Sequence, residues 1–348
     1  MPGSSSSTSP VLVPRIYGFD LLRIVTVWAI LYFHVWQFSF FQDQITLPPE
    51  ISSYHLLVDF VGVLFKYGGL LIVALSFFLI GFKAKSYHIQ RFVILIVGVI
   101  GLQILSSESP MDPQSWEWDV YSYLVFSYIF VAVLSQNKLL RQALVFLSLI
   151  LLSIPFELYG SRVYPSDGAL QFAGWNLLPW LALPVLFHSL GILWREKKPD
   201  AFIPLAKWEW PVWAGFILIF LVVTPDYGVF PAGPGFEAYV FQQKPLMFWK
   251  HFSIFMFLMR LSLDPRVNGF LGKIKIMEWI SNLKWNRRLG FCYLLQFVFM
   301  PLGPLLMEFW GNYPRLFEWL WLFIFVAVEL FARAVLNSPW FFKKAKFR

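Results

Sequence analysis

Charge is what this chain has least of: Asp, Glu, Lys and Arg together make up 14% of 348 residues, where a soluble domain carries about 25%. That shortage excludes a water-solvated surface over most of the chain. Cysteine is nearly missing too. Cys292 is the one cysteine and sits inside an apolar run, so no intramolecular disulfide can form, and it reads as a small core residue rather than a reactive thiol. No His-x-x-x-His spacing occurs, so no metal site is expected. A fixed-period repeat, a long linker and a second domain are absent as well. Residues 1–14 are Ser-rich and uncharged and read as a disordered tail. They lack the basic start and small-residue cleavage site of a signal peptide.

What the chain has instead is 58% hydrophobic and 20% aromatic residues. Apolar runs fall at 17–41, 56–82, 92–105, 120–134, 139–155, 175–194, 210–223, 246–263, 289–310 and 319–336. A membrane crossing takes roughly 20 apolar residues, and lipid forces the backbone to satisfy its own hydrogen bonds within a helix. The sequence therefore predicts an all-α, polytopic transmembrane bundle of about ten spans over residues 15–341, with a basic tail at 342–348. The runs at 92–105 and 120–134 are short, and the one at 139–155 ends in a proline, so a merged or re-entrant pair among them is an alternative.

The net charge of +8 could point to nucleic acid, but the placement of the charges points to a membrane. With the N-terminus inside, about 22 basic residues fall on the cytoplasmic side against about 3 outside, the bias that sets orientation. Both termini are then cytoplasmic, and no nucleic-acid partner is expected. The stretch from Phe270 to Arg288 alternates basic and apolar residues and predicts an amphipathic helix on the cytoplasmic surface. Clusters such as Tyr121–Tyr123 and Trp208–Trp210 suit the headgroup level.

An ionisable residue within a span costs several kcal/mol, so each is a candidate for function until a structural partner is found. The first run is the densest, with Asp20, Arg23 and His34. Asp20 and Arg23 are three apart, on one helix face, where an ion pair neutralises both. Arg23 and His34 are eleven apart, which returns to nearly the same face about 16 Å along the axis. A fixed cation that suits phosphate and an imidazole that suits proton transfer thus share a face. That spacing is too common by chance to carry an assignment alone. Elsewhere structural readings prevail: Lys66 pairs with Asp59, Glu329 with Arg333 at i,i+4, His188 and His251 are hydrogen-bonded core residues, and His55 and His88 are surface residues.

FDLLRIVTVWAILYFH, from Phe19 to His34, resembles the opening helix of the acyltransferase-3 family of integral membrane acyltransferases, with its Leu-Asp-x-x-Arg start and a His after ten intervening residues. GGLLIVALSFFLIGF is similar to the family's second-span motif through Gly68, Ser76, Phe78, Leu79 and Ile80. RRLGFCYLLQFVFMP resembles the ninth-span segment through Leu289, Gly290, Tyr293 and Leu294, with Gln296 where the family has a His. The last run ends on a stretch similar to the family's closing motif, with Pro339 retained. Where the family pairs two arginines before the third span, this chain has Arg91 alone, with Lys83 and Lys85 nearby. No extracytoplasmic hydrolase-like domain is expected.

The resemblance implies an O-acyltransferase of a bacterial inner membrane, moving an acyl group, most often acetyl, from acyl-CoA to a hydroxyl of a carbohydrate or lipid-linked glycan. No bound cofactor is expected, acyl-CoA (acetyl-CoA) being the donor substrate. His34, with Asp20, is the expected catalytic group. Arg23, Lys83, Lys85, Arg91, Ser76, Tyr293 and Gln296 are the expected substrate-binding residues. Two other readings stay open: a secondary transporter, whose inverted repeats are not evident here, and an inactive relative that binds glycans or lipids.

Overall fold

The computed structural model describes residues 15–40, 71–83, 89–106, 120–134, 137–153, 182–197, 202–223, 245–299 and 314–337. Among them the chain is all-helical, with no strand. The helices are α1 (Tyr17–Phe40), α2 (Leu71–Lys83), α3 (Ile89–Ser106), α4 (Val120–Leu134), α5 (Lys138–Ser153), α6 (Ala182–Lys197) and α7 (Glu209–Val223). They continue with α8 (Pro245–Ser262), α9 (Pro265–Lys273), α10 (Lys275–Asn282), α11 (Lys284–Arg287), α12 (Leu289–Phe299) and α13 (Pro314–Asn337). Each apolar run holds one of these helices, and α3 and α4 are separate elements. By length and composition, Trp319–Asn337 is the one stretch among the described residues that is apolar enough over 18 residues to cross a membrane; shorter apolar helices include Leu71–Lys83, Glu209–Ile219 and Leu289–Phe299.

Helix starts follow local chemistry. Asn137 Oδ1 accepts from Leu140 N at 3.1 Å and satisfies an N–H that the first turn of α5 leaves free. Asp264 caps α9, accepting from Arg266 N at 2.7 Å, and Pro265 takes the first helical position, where its missing N–H is no loss.

Two apolar cores meet along α1. The first gathers Phe19 with Phe78 and Phe82 of α2, Tyr123 and Val131 of α4, Leu183 and Phe187 of α6, and Phe255 and Met259 of α8. The second takes Ile24, Val27 and Leu31 of α1 with Met277 and Ile280 of α10, Trp285, Cys292 of α12, and Leu320, Ile324, Phe325 and Val328 of α13. α1 packs against α8, α9, α10, α11 and α13, so the first helix is the axis of the described structure rather than a peripheral strap. Burial of Cys292 fits the core role expected for it.

α2 and α6 cross with their backbones nearly touching. A Cβ on Gly191 would run into the carbonyl oxygen of Phe78, and one on Gly81 into that of His188. Only glycine allows this approach at both positions. His188 is buried at the crossing, the core position expected of it. The side chain of His251 lies outside the described residues, as do Asp59, Lys66, His55 and His88.

The outward faces of α3 and α13 are apolar. On α3, Val93, Val97, Ile100 and Ile104 form an exposed stripe at helical spacing. On α13, Trp319, Phe323, Val326 and Leu330 do the same, while Leu320, Ile324, Val328 and Ala332 are buried on the other face.

One element departs from expectation. The stretch from Phe270 to Arg288 is not a single surface helix but α9, α10 and α11 in succession, broken at Ile274 (φ −83°, ψ 112°) and Leu283 (φ −59°, ψ 145°). The breaks turn Met277, Ile280, Trp285 and Asn286 inward, so this segment forms a floor of the second core. Glu329 holds it there. Its carboxylate accepts from Lys284 N at 2.8 and 3.0 Å and from Trp285 N at 3.3 Å, where α11 has N–H groups to spare. Arg333 donates to the same carboxylate at 2.7 Å, the i,i+4 pair read from the sequence.

Candidate functional site

The first turn of α1 is anchored by polar contacts from the floor segment. Asn268 accepts from Tyr17 N at 2.8 Å and donates to Arg15 O at 3.2 Å. Asn286 Nδ2 donates to Asp20 O at 3.1 Å and to Ile280 O at 3.0 Å. Arg15 donates to Ser281 O. Neither Asn268 nor Asn286 stands out in the sequence, because an isolated Asn in a basic, apolar stretch carries no spacing that marks it.

Asp20 is buried, and its carboxylate is taken by Arg15, whose Nε lies 2.9 Å from Oδ2. This corrects the expected Asp20–Arg23 pair. Arg15 precedes the helix, so its side chain can reach back to a carboxylate in the first turn while its other end reaches Ser281 O. Arg23 lies one turn further on. Its guanidinium feels Asp20 through space, but Nε is buried with no hydrogen-bond partner among the described residues. A buried donor without a partner forfeits about 1–3 kcal/mol, more when charged. The indole N–H of Trp28 is in the same condition, its ring packed edge-on against Trp321 and Phe325 at 6.2 and 6.0 Å.

α1 runs unbroken from Arg23 to His34. The eleven-residue interval therefore keeps its helical meaning, about 16 Å along the axis on one face. The side chain of His34 lies outside the described residues.

The remaining expected residues are distributed over three helices. Ser76 is half-buried on α2, next to Phe77 and Phe78, and the Phe78 ring meets Phe19 of α1 edge-on at 5.9 Å. Lys83 ends α2, exposed and with an interaction of its own. Lys85 lies outside the described residues. Arg91 stands in the first turn of α3, its side chain likewise undescribed. Gln296 is buried on α12, one turn beyond Cys292 of the second core, and Tyr293 packs its ring against Phe297 at 5.4 Å. The described residues thus join α1 to α2 through the first core and to α12 through the second.

A second charged cluster went unread in the sequence. Arg260 Nε and Nη2 meet Glu209 at 2.9 and 3.0 Å, Nη1 and Nη2 meet the carbonyls of Ile203 and Pro204 at 2.6 and 2.7 Å, and the guanidinium lies 5.6 Å from the centre of the Trp194 ring. Four of its five N–H donors are used within the fold, which makes it a clamp between α7 and α8 rather than a ligand site. Beside it, Asp264 accepts from Leu205 N at 2.6 Å and from Arg266 Nη2 at 2.7 Å. The Arg266 side chain holds the Asp264 carboxyl well below the usual carboxylate range; burial opposes this, and the N–H groups of Leu205 and Arg266 add to it. The Asp-Pro start of α9 was a usable signal, whereas Glu209 was hidden inside an aromatic cluster.

Set against known proteins, the chain matches no family model, no curated protein and no solved structure.

Proposed function

We propose that the chain is a membrane-embedded O-acyltransferase, a bundle of about ten spans with both termini cytoplasmic, moving an acyl group from acyl-CoA to a hydroxyl of a carbohydrate or lipid-linked glycan. The observation that carries this reading is the state of Arg23. Its neighbouring carboxylate is spent on Arg15, and its buried Nε has no partner among the described residues. A guanidinium so placed is matched by an anionic ligand, and phosphate is the anion it binds best. Membrane embedding is supported by the exposed apolar stripes of α3 and α13, since soluble monomers rarely expose contiguous apolar patches beyond a few hundred Å².

In the proposed reaction Arg23 holds the phosphates of the donor at the cytoplasmic end of α1, aided by Lys83, Lys85 and Arg91. Asp20, fixed by Arg15, sets the local field. The thioester lies further along the helix near His34. As the acceptor hydroxyl oxygen attacks the thioester carbonyl carbon, neutral His34 takes its proton. The new C–O bond forms, the C–S bond breaks, and the coenzyme A thiolate leaves and is protonated. Ser76, Tyr293 and Gln296 are assigned to substrate binding. Incubating purified protein with radiolabelled acetyl-CoA tests the proposal: label appearing in a carbohydrate ester, or slow release of free coenzyme A, supports it. Intact donor together with proton-coupled uptake of solute into proteoliposomes would replace it with a transporter.

A further inference from the structure

We infer that the outward face of α9–α11 is a docking surface for anionic lipid headgroups, an inference that rests on the membrane placement proposed above. Ile276 and Trp279 are one helical turn apart on α10, opposite the buried Met277, Ile280 and Ser281. With Phe270 of α9 they put three large apolar side chains 66, 58 and 52% exposed, for Phe270, Ile276 and Trp279 respectively, within ten residues. Lys273 and Lys275 flank them, and Arg287 and Arg288 follow, all exposed.

Glu278 is the acidic residue on this face. The carboxylate of Asp264 is already spent on Arg266 and Leu205.

Apolar groups this exposed are unfavourable in water, and cations this dense are unfavourable in hydrocarbon. The boundary between them satisfies both, with rings at the headgroup level and ammonium groups reaching lipid phosphates. The floor's position agrees. A Cβ on Gly272 would meet the ring of Tyr17, the first residue of α1, and Lys284 Nζ reaches Asn337, the last of α13, at 3.4 Å. The face therefore spans the level at which the first helix begins and the last one ends. A second copy is disfavoured as occupant, because a two-fold contact would oppose like charges.

The test uses the full chain in nanodiscs of phosphatidylcholine alone or of phosphatidylcholine with phosphatidylglycerol, each doped with lipid brominated near the headgroup. Quenching specific to Trp279 is the difference between wild type and Trp279→Phe. It is expected to be at least about twofold stronger with phosphatidylglycerol, to weaken with added salt, and to lose this preference in a Lys273→Gln/Lys275→Gln/Arg288→Gln variant. Equal quenching in both lipids, no quenching in either, or protection of Trp279 only in discs holding two copies would each overturn it. Failure of the membrane placement itself shows separately, as protein that stays in the aqueous fraction after carbonate extraction.

Discussion

Arg15 Nε lies 2.9 Å from Asp20 Oδ2, and this pair decides what Arg23 is free to do. Asp20 and Arg23 are three residues apart on one helix and would form an ion pair if Asp20 had no other partner. Arg15, arriving from before the helix, takes the carboxylate first. On the role proposed for Arg23, Arg15→Ala is then expected to release Asp20 toward Arg23 and to weaken acyl-CoA binding about tenfold, although Arg15 itself is spent on Asp20 and Ser281. Arg15→Lys should restore most of the affinity, because an ammonium can still hold Asp20 as a point charge. Calorimetric titration of the non-hydrolysable donor into each variant checks this. Unchanged affinity in Arg15→Ala would mean that Arg23 is not held in reserve by this pair.

The roles assigned to Arg23 and His34 separate in kinetics. His34→Ala is expected to lower kcat by about 10²–10⁴-fold with donor affinity nearly intact, since a general base acts in the transition state and adds little to ground-state binding. Arg23→Ala is expected to raise the donor Kd instead. Wild-type turnover in folded His34→Ala would remove the catalytic assignment. Equal donor affinity in Arg23→Ala would move the phosphate site to Lys83, Lys85 and Arg91.

How far the sequence could be read follows from what kind of interaction each feature uses. Helices were legible because long apolar runs free of Gly/Pro clusters favour helical backbone, and α4 and α7 fall within a residue of the runs that predicted them. The Glu329–Arg333 pair was legible because both partners lie on one helix. Contacts between distant segments were not. Arg260 finds Glu209 across about fifty residues, Asn286 finds Asp20 across more than two hundred and fifty, and no local spacing encodes either. The floor was misread as one helix because basic and apolar residues alternate through it in the same way on both sides of Ile274 and Leu283. What marks the breaks is the burial of Met277 and Trp285 in the second core, a contact with distant segments.

Orientation has a direct test in the asymmetry of basic residues. Single cysteines at Gln136, Ser166 and Asn312, in a Cys292→Ala background, are expected to react with an impermeant maleimide from outside at positions 166 and 312 only. Gln136 is chosen over Asn137 because the Asn137 side chain caps α5, and replacing it would cost about 1 kcal/mol. Labelling of position 136 from outside in intact cells, or protection of both 166 and 312, would overturn the arrangement of both termini on the cytoplasmic side.

The junction between α8 and α9 is expected to make stability depend on acid. Arg266 holds the Asp264 carboxyl well below its ordinary range, with the N–H groups of Leu205 and Arg266 assisting. For a carboxyl depressed in the folded state, the stabilisation is fully present above its unfolded value, about 3.9, and is lost as pH falls toward the folded one. Asp264→Asn keeps the shape and one acceptor oxygen but removes the charge. At pH 7 it is expected to lose about 1.5–3 kcal/mol, the range for hydrogen bonds to a charged group, and therefore to melt at a lower temperature than wild type. Below about pH 4 the wild-type carboxyl begins to protonate as the chain unfolds, and the gap between the two melting curves should narrow. Thermal denaturation of both proteins in the same detergent, from pH 7 down to pH 3, measures that gap directly. A difference that stays constant over this interval would mean that the charge of Asp264 contributes nothing, and that its value lies in capping α9 alone.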